Sequence, residues 1–252
     1  MPRPFVSCPV DSFRRCGFTL IEMLLVVAII VILISMLLPG FGRFRGDAMS
    51  ADCKGNLQIL LRGYTSYADD NLKQIMGSNC GAAHDWLAAN SNVITSVTNG
   101  RLYPYVNNSA AYICPNHVYP NYLNSYSING MLNGEQVATA SPKGGSIFKK
   151  RITNDMIPGK QMVFMEEDDK RGWNINSFML GGTGSYVDWV AANHAFGDNI
   201  GFLDGHVEYW VWTSPFLRQR PKPPPAAGAD PNGPGEDWPR LRAVFRSWPM
   251  PS

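Results

Sequence analysis

Four side chains late in the chain have the chemistry to hold a metal: His194, Asp198, Asp204 and His206. Imidazole and carboxylate together suit several divalent ions. Calcium prefers oxygen ligands, and imidazole serves it poorly. The spacings fit no established metal motif, so no cofactor is expected, with calcium the one ion kept in view. The acidic run "EEDD" (166–169) follows "QMVFM" and reads as a solvated turn, the alternative being a calcium loop. His84-Asp85 lacks a nucleophile in a recognisable elbow, and no G-x-S-x-G occurs. "GGTGS" (181–185) lacks the lysine of a phosphate loop. These residues argue against catalysis, and the chain is not expected to be an enzyme.

Cysteine chemistry is open in a different way. Five cysteines occur, at 8, 16, 53, 80 and 114. If the body is exported, Cys53, Cys80 and Cys114 can form one disulfide and leave one thiol. Three pairings are possible, and spacing does not choose among them. No C-x-x-C is present, so a structural zinc knot is not expected.

The most unusual charge is Glu22. From Phe18 to Leu38 the chain is apolar apart from Thr19, Glu22 and Ser35. As a helix that run spans roughly 30 Å, about one hydrocarbon core. A carboxylate inside lipid is expensive and needs a reason. Near the start of the helix it can snorkel towards headgroups or be neutralised by protonation. Arg14 and Arg15 precede the run, which places the N-terminus in the cytoplasm and the body outside. Arg43 and Arg45 beyond it soften that bias. A secretory signal would have a shorter apolar core followed by a small-residue cleavage site. Here the run ends in Pro39-Gly40, and the small residue, Gly17, comes before it. Net charge is +2, and three arginines and one aspartate precede Gly17, so the remainder is formally neutral. A neutral body offers no electrostatic footprint for nucleic acid.

"GFTLIEMLLVVAIIVILISMLLP" resembles the N-terminal segment of type IV prepilins and type II secretion pseudopilins. The resemblance implies cleavage between Gly17 and Phe18 by a prepilin peptidase, N-methylation of Phe18 and retention of the apolar helix. It also implies that Glu22, fifth in the processed chain, meets the α-amino group of Phe18 on a neighbouring subunit. Two charges paired in a low dielectric attract strongly, whereas an unpaired one is penalised. The carboxylate would then favour association in one register. "KGNLQILLRGYTSYADDN", "YICPN" and "SYSING" resemble stretches of a pilin-like group of planctomycete and verrucomicrobial bacteria, which carries a late H-x9-D-G motif. His194 and Asp204-Gly205 stand at that spacing.

The elements that would position these residues can be read along the chain. Leu57, Leu60, Leu61, Tyr64, Tyr67 and Ala68 form an amphipathic stripe, predicting a helix over about 43–69 whose apolar face covers a sheet. Pro39-Gly40 predicts a kink or local melting near 39–42. "NIGFLDGHVEYWVW" predicts two strands around a two-residue Asp204-Gly205 turn, a structural hairpin. That turn pairs Phe202 with Val207 and Ile200 with Tyr209. From Pro215 the chain is rich in proline and glycine and reads as extended and mobile, with 241–249 available for a short helical turn.

The expected fold is α+β and pilin-like: a long N-terminal helical spine, membrane-spanning in its first half, packed on a mainly antiparallel β-sheet, with a disordered Pro-rich C-terminal tail. Its parts are a leader (1–17), a transmembrane or filament-core helix (18–38), an amphipathic continuation (39–71), an exported β-rich domain (72–214) and a flexible tail (215–252). The implied work is that of a filament or pseudopilus subunit in the inner membrane. Its partners would be the peptidase and N-methyltransferase, other pilin-like subunits, an assembly platform and membrane lipid. The alternative is a membrane-tethered binding module, for glycans for example, using Trp173, Trp189, Trp210 and Trp212.

Overall fold

The computed structural model describes residues 19–81, 84–89, 93–117, 122–133, 151–168, 176–180, 186–218 and 235–245, with only the backbone of 37–45. The chain divides into two compact units, Met1–Arg45 and Gly46–Ser252. One helix, α1 (Leu20–Asp70), runs from the first unit into the second. The melting expected near 39–42 is absent, since helix is continuous there. A proline inside a helix costs about 3 kcal/mol. Stopping and nucleating a second helix costs roughly 4 kcal/mol, from a nucleation constant near 10⁻³. Continuing is the cheaper course.

In the second unit the apolar stripe does what its spacing predicts. Leu57, Leu60, Leu61, Tyr64, Tyr67 and Ala68 are all buried, with Cys53 one turn earlier. Leu72 and Lys73 adopt positive φ, and the Lys73 N–H turns back to Ala68 O at 2.6 Å, which ends the helix. Two short strands, β1 (Gly77–Cys80) and β2 (Asp85–Leu87), pair in parallel. Short helices α2 (Thr95–Thr98) and α3 (Tyr103–Val106) follow.

The main sheet has five strands: β3 (Tyr126–Asn129), β4 (Met162–Glu166), β5 (Ser177–Phe178), β6 (Gly197–Phe202) and β7 (Val207–Val211). Their order is β5-β3-β4-β6-β7, antiparallel except for β3 with β5. The architecture is α+β with mixed sheets. One face packs on α1: Phe164 meets the Tyr64 ring edge-on, and a Cβ on Gly201 would come within 2.9 Å of Leu61 Cδ1. A side chain at 201 would require Leu61 to shift.

The opposite face is covered by parts of the C-terminal region, so residues 215–218 and 235–245 depart from the expectation of a mobile tail, while 219–234 and 246–252 lie outside the described residues. Helices α4 (Pro215–Arg218) and α5 (Asp237–Phe245) form there, and Trp238, Leu241 and Phe245 are buried. Phe245 O accepts from Asn129 Nδ2 (2.6 Å) and Gln161 Nε2 (3.2 Å), and the Arg240 guanidinium lies 3.8 Å over Trp210. Asp237 Oδ2 accepts from the backbone N–H groups of Thr213 and Ser214, each at 2.8 Å, fixing the start of α5 to the exit of β7. With both faces covered, β4 and β6 are buried along their whole length.

The hairpin forms, one residue out of the expected register. Ile200 pairs with Glu208 and Gly201 with Val207, and Phe202 N–H donates to His206 O at 3.0 Å. The loop is therefore Leu203-Asp204-Gly205. A two-residue type I′ turn needs positive φ at both central residues. Only Gly205 adopts it (φ 91°), so the turn lengthens to three residues. The shift places Ile200, Phe202, His206, Glu208 and Trp210 on one face, and Gly201, Asn199, Val207 and Tyr209 on the other.

Candidate functional site

Gly17 and Phe18 lie outside the described residues. Glu22 is described, and it has a local role in the helix. Thr19 N–H donates to Glu22 Oε2 (2.8 Å), Thr19 Oγ1 donates to the same oxygen (2.7 Å), and Glu22 N–H returns to Thr19 Oγ1 (3.3 Å). This is a capping box, with a carboxylate three residues after a hydroxyl at the head of an apolar helix. The T-x-x-E spacing carries that signal in sequence. From Leu20 to Met36 every side chain is exposed, nearly all of them apolar, including Leu20 at 84% and Ile32 at 53%. A helix apolar on all sides requires a medium or neighbours that cover it.

A second site lies inside the second unit, where the sequence placed a solvated turn. Glu166, Glu167 and Asp168 are buried, while Asp169 lies outside the described residues. Glu166 ends β4, and its carboxylate accepts from Asn193 Nδ2 (2.8 Å) and Asn199 Nδ2 (3.5 Å) and contacts His194 Nε2 (3.0 Å). The Glu167 carboxylate accepts from the Ser127 hydroxyl. Composition assigns charge runs to solvent, but the Glu166 and Glu167 carboxylates face amide and hydroxyl donors from other parts of the chain. Burial, and secondarily the Glu166 charge, holds the Tyr126 hydroxyl well above its ordinary range.

Beside this carboxylate the structure selects one of the three possible disulfides, Cys53–Cys114, which ties α1 to the segment before β3. Cys80 stays free, half-buried, and burial raises its thiol despite a hydrogen bond from Asn176. Cys114 Sγ lies 3.3 Å from His194 Nε2.

The four candidate metal residues do not converge. Asp204 and His206 sit at the hairpin tip, beyond Phe202, which is itself four positions along β6 from Asp198, roughly 13 Å at strand rise. His194 is buried with Glu166, and Asp198 Oδ2 accepts from Ala191 N–H (3.2 Å). The nine residues between His194 and Asp204 measure one strand: His194 bridges Gly197 at the base of β6, and Asp204 lies in the turn at its end.

At the tip, burial raises the Asp204 carboxyl, but hydrogen bonds from the His206 ring and backbone outweigh it and leave its pKa below the ordinary value. A depressed folded-state pKa contributes stability above the unfolded value, about 4, and loses it as pH falls through the folded value. Asp204→Asn is expected to remove that component from the acid limb of the melting profile. A melting temperature that falls equally steeply with acid in the variant would refute it.

Trp189, Trp210 and Trp212 are buried, and Trp173 lies outside the described residues.

The family model described as the prokaryotic N-terminal methylation motif matches residues 12–38. The match supports a type IV pilin-like prepilin segment, and with it a prepilin-like subunit, processing by prepilin peptidase and pilin-type membrane anchoring. Neither a curated protein nor a solved structure matches the chain. Among the described residues no helix is long and apolar enough to cross a membrane.

Proposed function

We propose that the chain is a pilin-like structural subunit, cut between Gly17 and Phe18, N-methylated at Phe18, and assembled into a pseudopilus or type IV pilus-like filament. It is held in the inner membrane by residues 18–38, N-terminus cytoplasmic and body outside, and is delivered to its neighbours by an assembly platform. Its role is mechanical and associative, and the chemistry is performed on it by the peptidase and methyltransferase. The late H-x9-D-G spacing belongs to this reading as a structural ruler for the β6–β7 hairpin.

The observation that carries the proposal is the methylation motif on a helix that is apolar all round and holds one carboxylate. Glu22 caps its own helix through one oxygen, Oε2. The charge remains available to the α-amino group of Phe18 on an adjacent copy. Capping and pairing can be separated, because glutamine retains a carbonyl acceptor for Thr19 N–H and loses the charge.

Glu22→Gln is expected to insert and to be processed, while filament yield falls by more than ~10-fold, as breaking a desolvated ion pair costs about 3–5 kcal/mol. Filaments in normal amount from Glu22→Gln would reduce Glu22 to a helix cap. Mass spectrometry of the native N-terminus should find methylated Phe18, and a chain beginning at Met1 would end the proposal.

A further inference from the structure

Four buried side chains from distant parts of the chain converge beneath the sheet: Cys53, Cys114, Glu166 and His194, with ligand atoms all within 4.8 Å of one another. We propose that they form a zinc site, and that the Cys53–Cys114 disulfide is the oxidised, metal-free form of that site.

The geometry of His194 separates this from a catalytic arrangement. A Cys-His-carboxylate triad needs sulfur on one ring nitrogen and carboxylate on the other. Here Cys114 Sγ (3.3 Å) and Glu166 Oε1 (3.0 Å) both face Nε2. That nitrogen carries one proton at most and cannot donate well to both. Lone pairs converging on one point suit a cation between them. The ligand atoms of a tetrahedral zinc lie roughly 3.3–3.8 Å apart, from Zn–S near 2.3 Å and Zn–N near 2.0 Å. The nitrogen–sulfur and nitrogen–oxygen separations already approach that range, so chiefly the two sulfurs must part.

Charge supports the same conclusion. Among the described residues Glu166 is fully buried and meets no lysine or arginine, only the two amides and His194. The His194 ring beside it supplies positive charge only if protonated, whereas a bound zinc would supply it directly. Two thiolates, an imidazole and a carboxylate are zinc's ligand types, and thiolates exclude calcium. His194 Nδ1 finds no partner among the described residues, and the residue lines a cavity of about 380 Å³ bordered by Asp47, Ser50, Lys54, Asn199 and Tyr209. Cys53 and Cys114 stand 61 residues apart, so no short spacing motif announces the site.

Reduction by a phosphine converts the bridge to the two thiols that zinc requires. A phosphine takes oxygen from water and becomes its oxide, and the disulfide gains two electrons and two protons. The two thiols then lose two protons as zinc binds.

The test uses the full chain in detergent, reduced with a water-soluble phosphine and titrated with Co(II) as the spectroscopic stand-in for Zn(II). Expected are one equivalent bound, thiolate-to-cobalt charge transfer and d–d bands of tetrahedral intensity, displaced by Zn(II). The unreduced chain should bind none. Cys114→Ser should abolish the charge-transfer signature, and Glu166→Gln, nearly isosteric, should weaken binding by at least ~10-fold. A chain with Cys8, Cys16 and Cys80 all replaced by serine should bind as the parent does. The proposal is overturned if the reduced chain shows no tetrahedral cobalt spectrum. It is equally overturned if Glu166→Gln and His194→Ala both bind cobalt as tightly as the parent.

Discussion

Ending the chain after Arg218 is expected to unfold the second unit rather than trim it. The deletion removes α5, and with it the burial of Trp238, Leu241 and Phe245 against the sheet. Each such side chain is worth roughly 1.5–3 kcal/mol when fully buried, about 5–9 kcal/mol together. Whole domains are stable by only about 5–15 kcal/mol. The loss also uncovers Phe178 and Trp210, which now meet Phe245 and Arg240, and leaves Thr213 and Ser214 without the Asp237 carboxylate. Leu241→Ala isolates part of the effect and is expected to cost about 2–5 kcal/mol in urea unfolding. Substitution in an unattached linker would change stability by less than ~0.5 kcal/mol. A truncated chain that melts like the parent would show that the sheet's second face needs no cover.

Why this cover was hidden in the sequence is physical. The run "RPKPPPAAGADPNGPGED" cannot form a core, and its composition dominates any window that includes it. The helix that follows is short, and its anchoring residues Asp237 and Trp238 precede the segment 241–249 read as available for a short helical turn. Residues whose partners lie nearby in sequence were legible: the α1 stripe from Leu57 to Ala68 needs only helical periodicity, and strand β4 only its apolar run. The Asp-Gly turn was legible as a turn. Its register was not, because that depends on whether Asp204 takes positive φ, which composition does not reveal.

Long-range pairing accounts for the remaining differences. Glu166 reads as solvated until Asn193, His194 and Asn199, some thirty residues later, are folded against it. The disulfide partners were indistinguishable by spacing. At the N-terminus everything needed was local: the capping box, the apolar run and the motif at 12–38 all lie within one stretch.

The cross-link between Cys53 and Cys114 is expected to supply much of the second unit's stability. It closes a loop of 61 residues, and the chain-entropy account gives about 4 kcal/mol for a loop of that size. Cys53 lies on α1, and Cys114 follows Ile113, whose carbonyl accepts from Asn56 Nδ2 (2.9 Å). Without the bridge that hydrogen bond still joins the two segments, at about 1 kcal/mol. The double variant Cys53→Ala, Cys114→Ala is therefore expected to lose about 4 kcal/mol in urea unfolding. Its m-value should be larger, because an unlinked denatured chain exposes more surface. Alanine is preferred to serine here, since buried hydroxyls beside Glu166 would add or remove hydrogen bonds. Phosphine reduction of the parent without metal should reproduce the loss. Zinc at 100 times its Kd should restore about 2.7 kcal/mol to the reduced parent and nothing to the double alanine variant. Equal stability of the oxidised parent and the alanine pair, within about 1 kcal/mol, would mean that the bridge constrains nothing that packing of α1 on the sheet does not already hold.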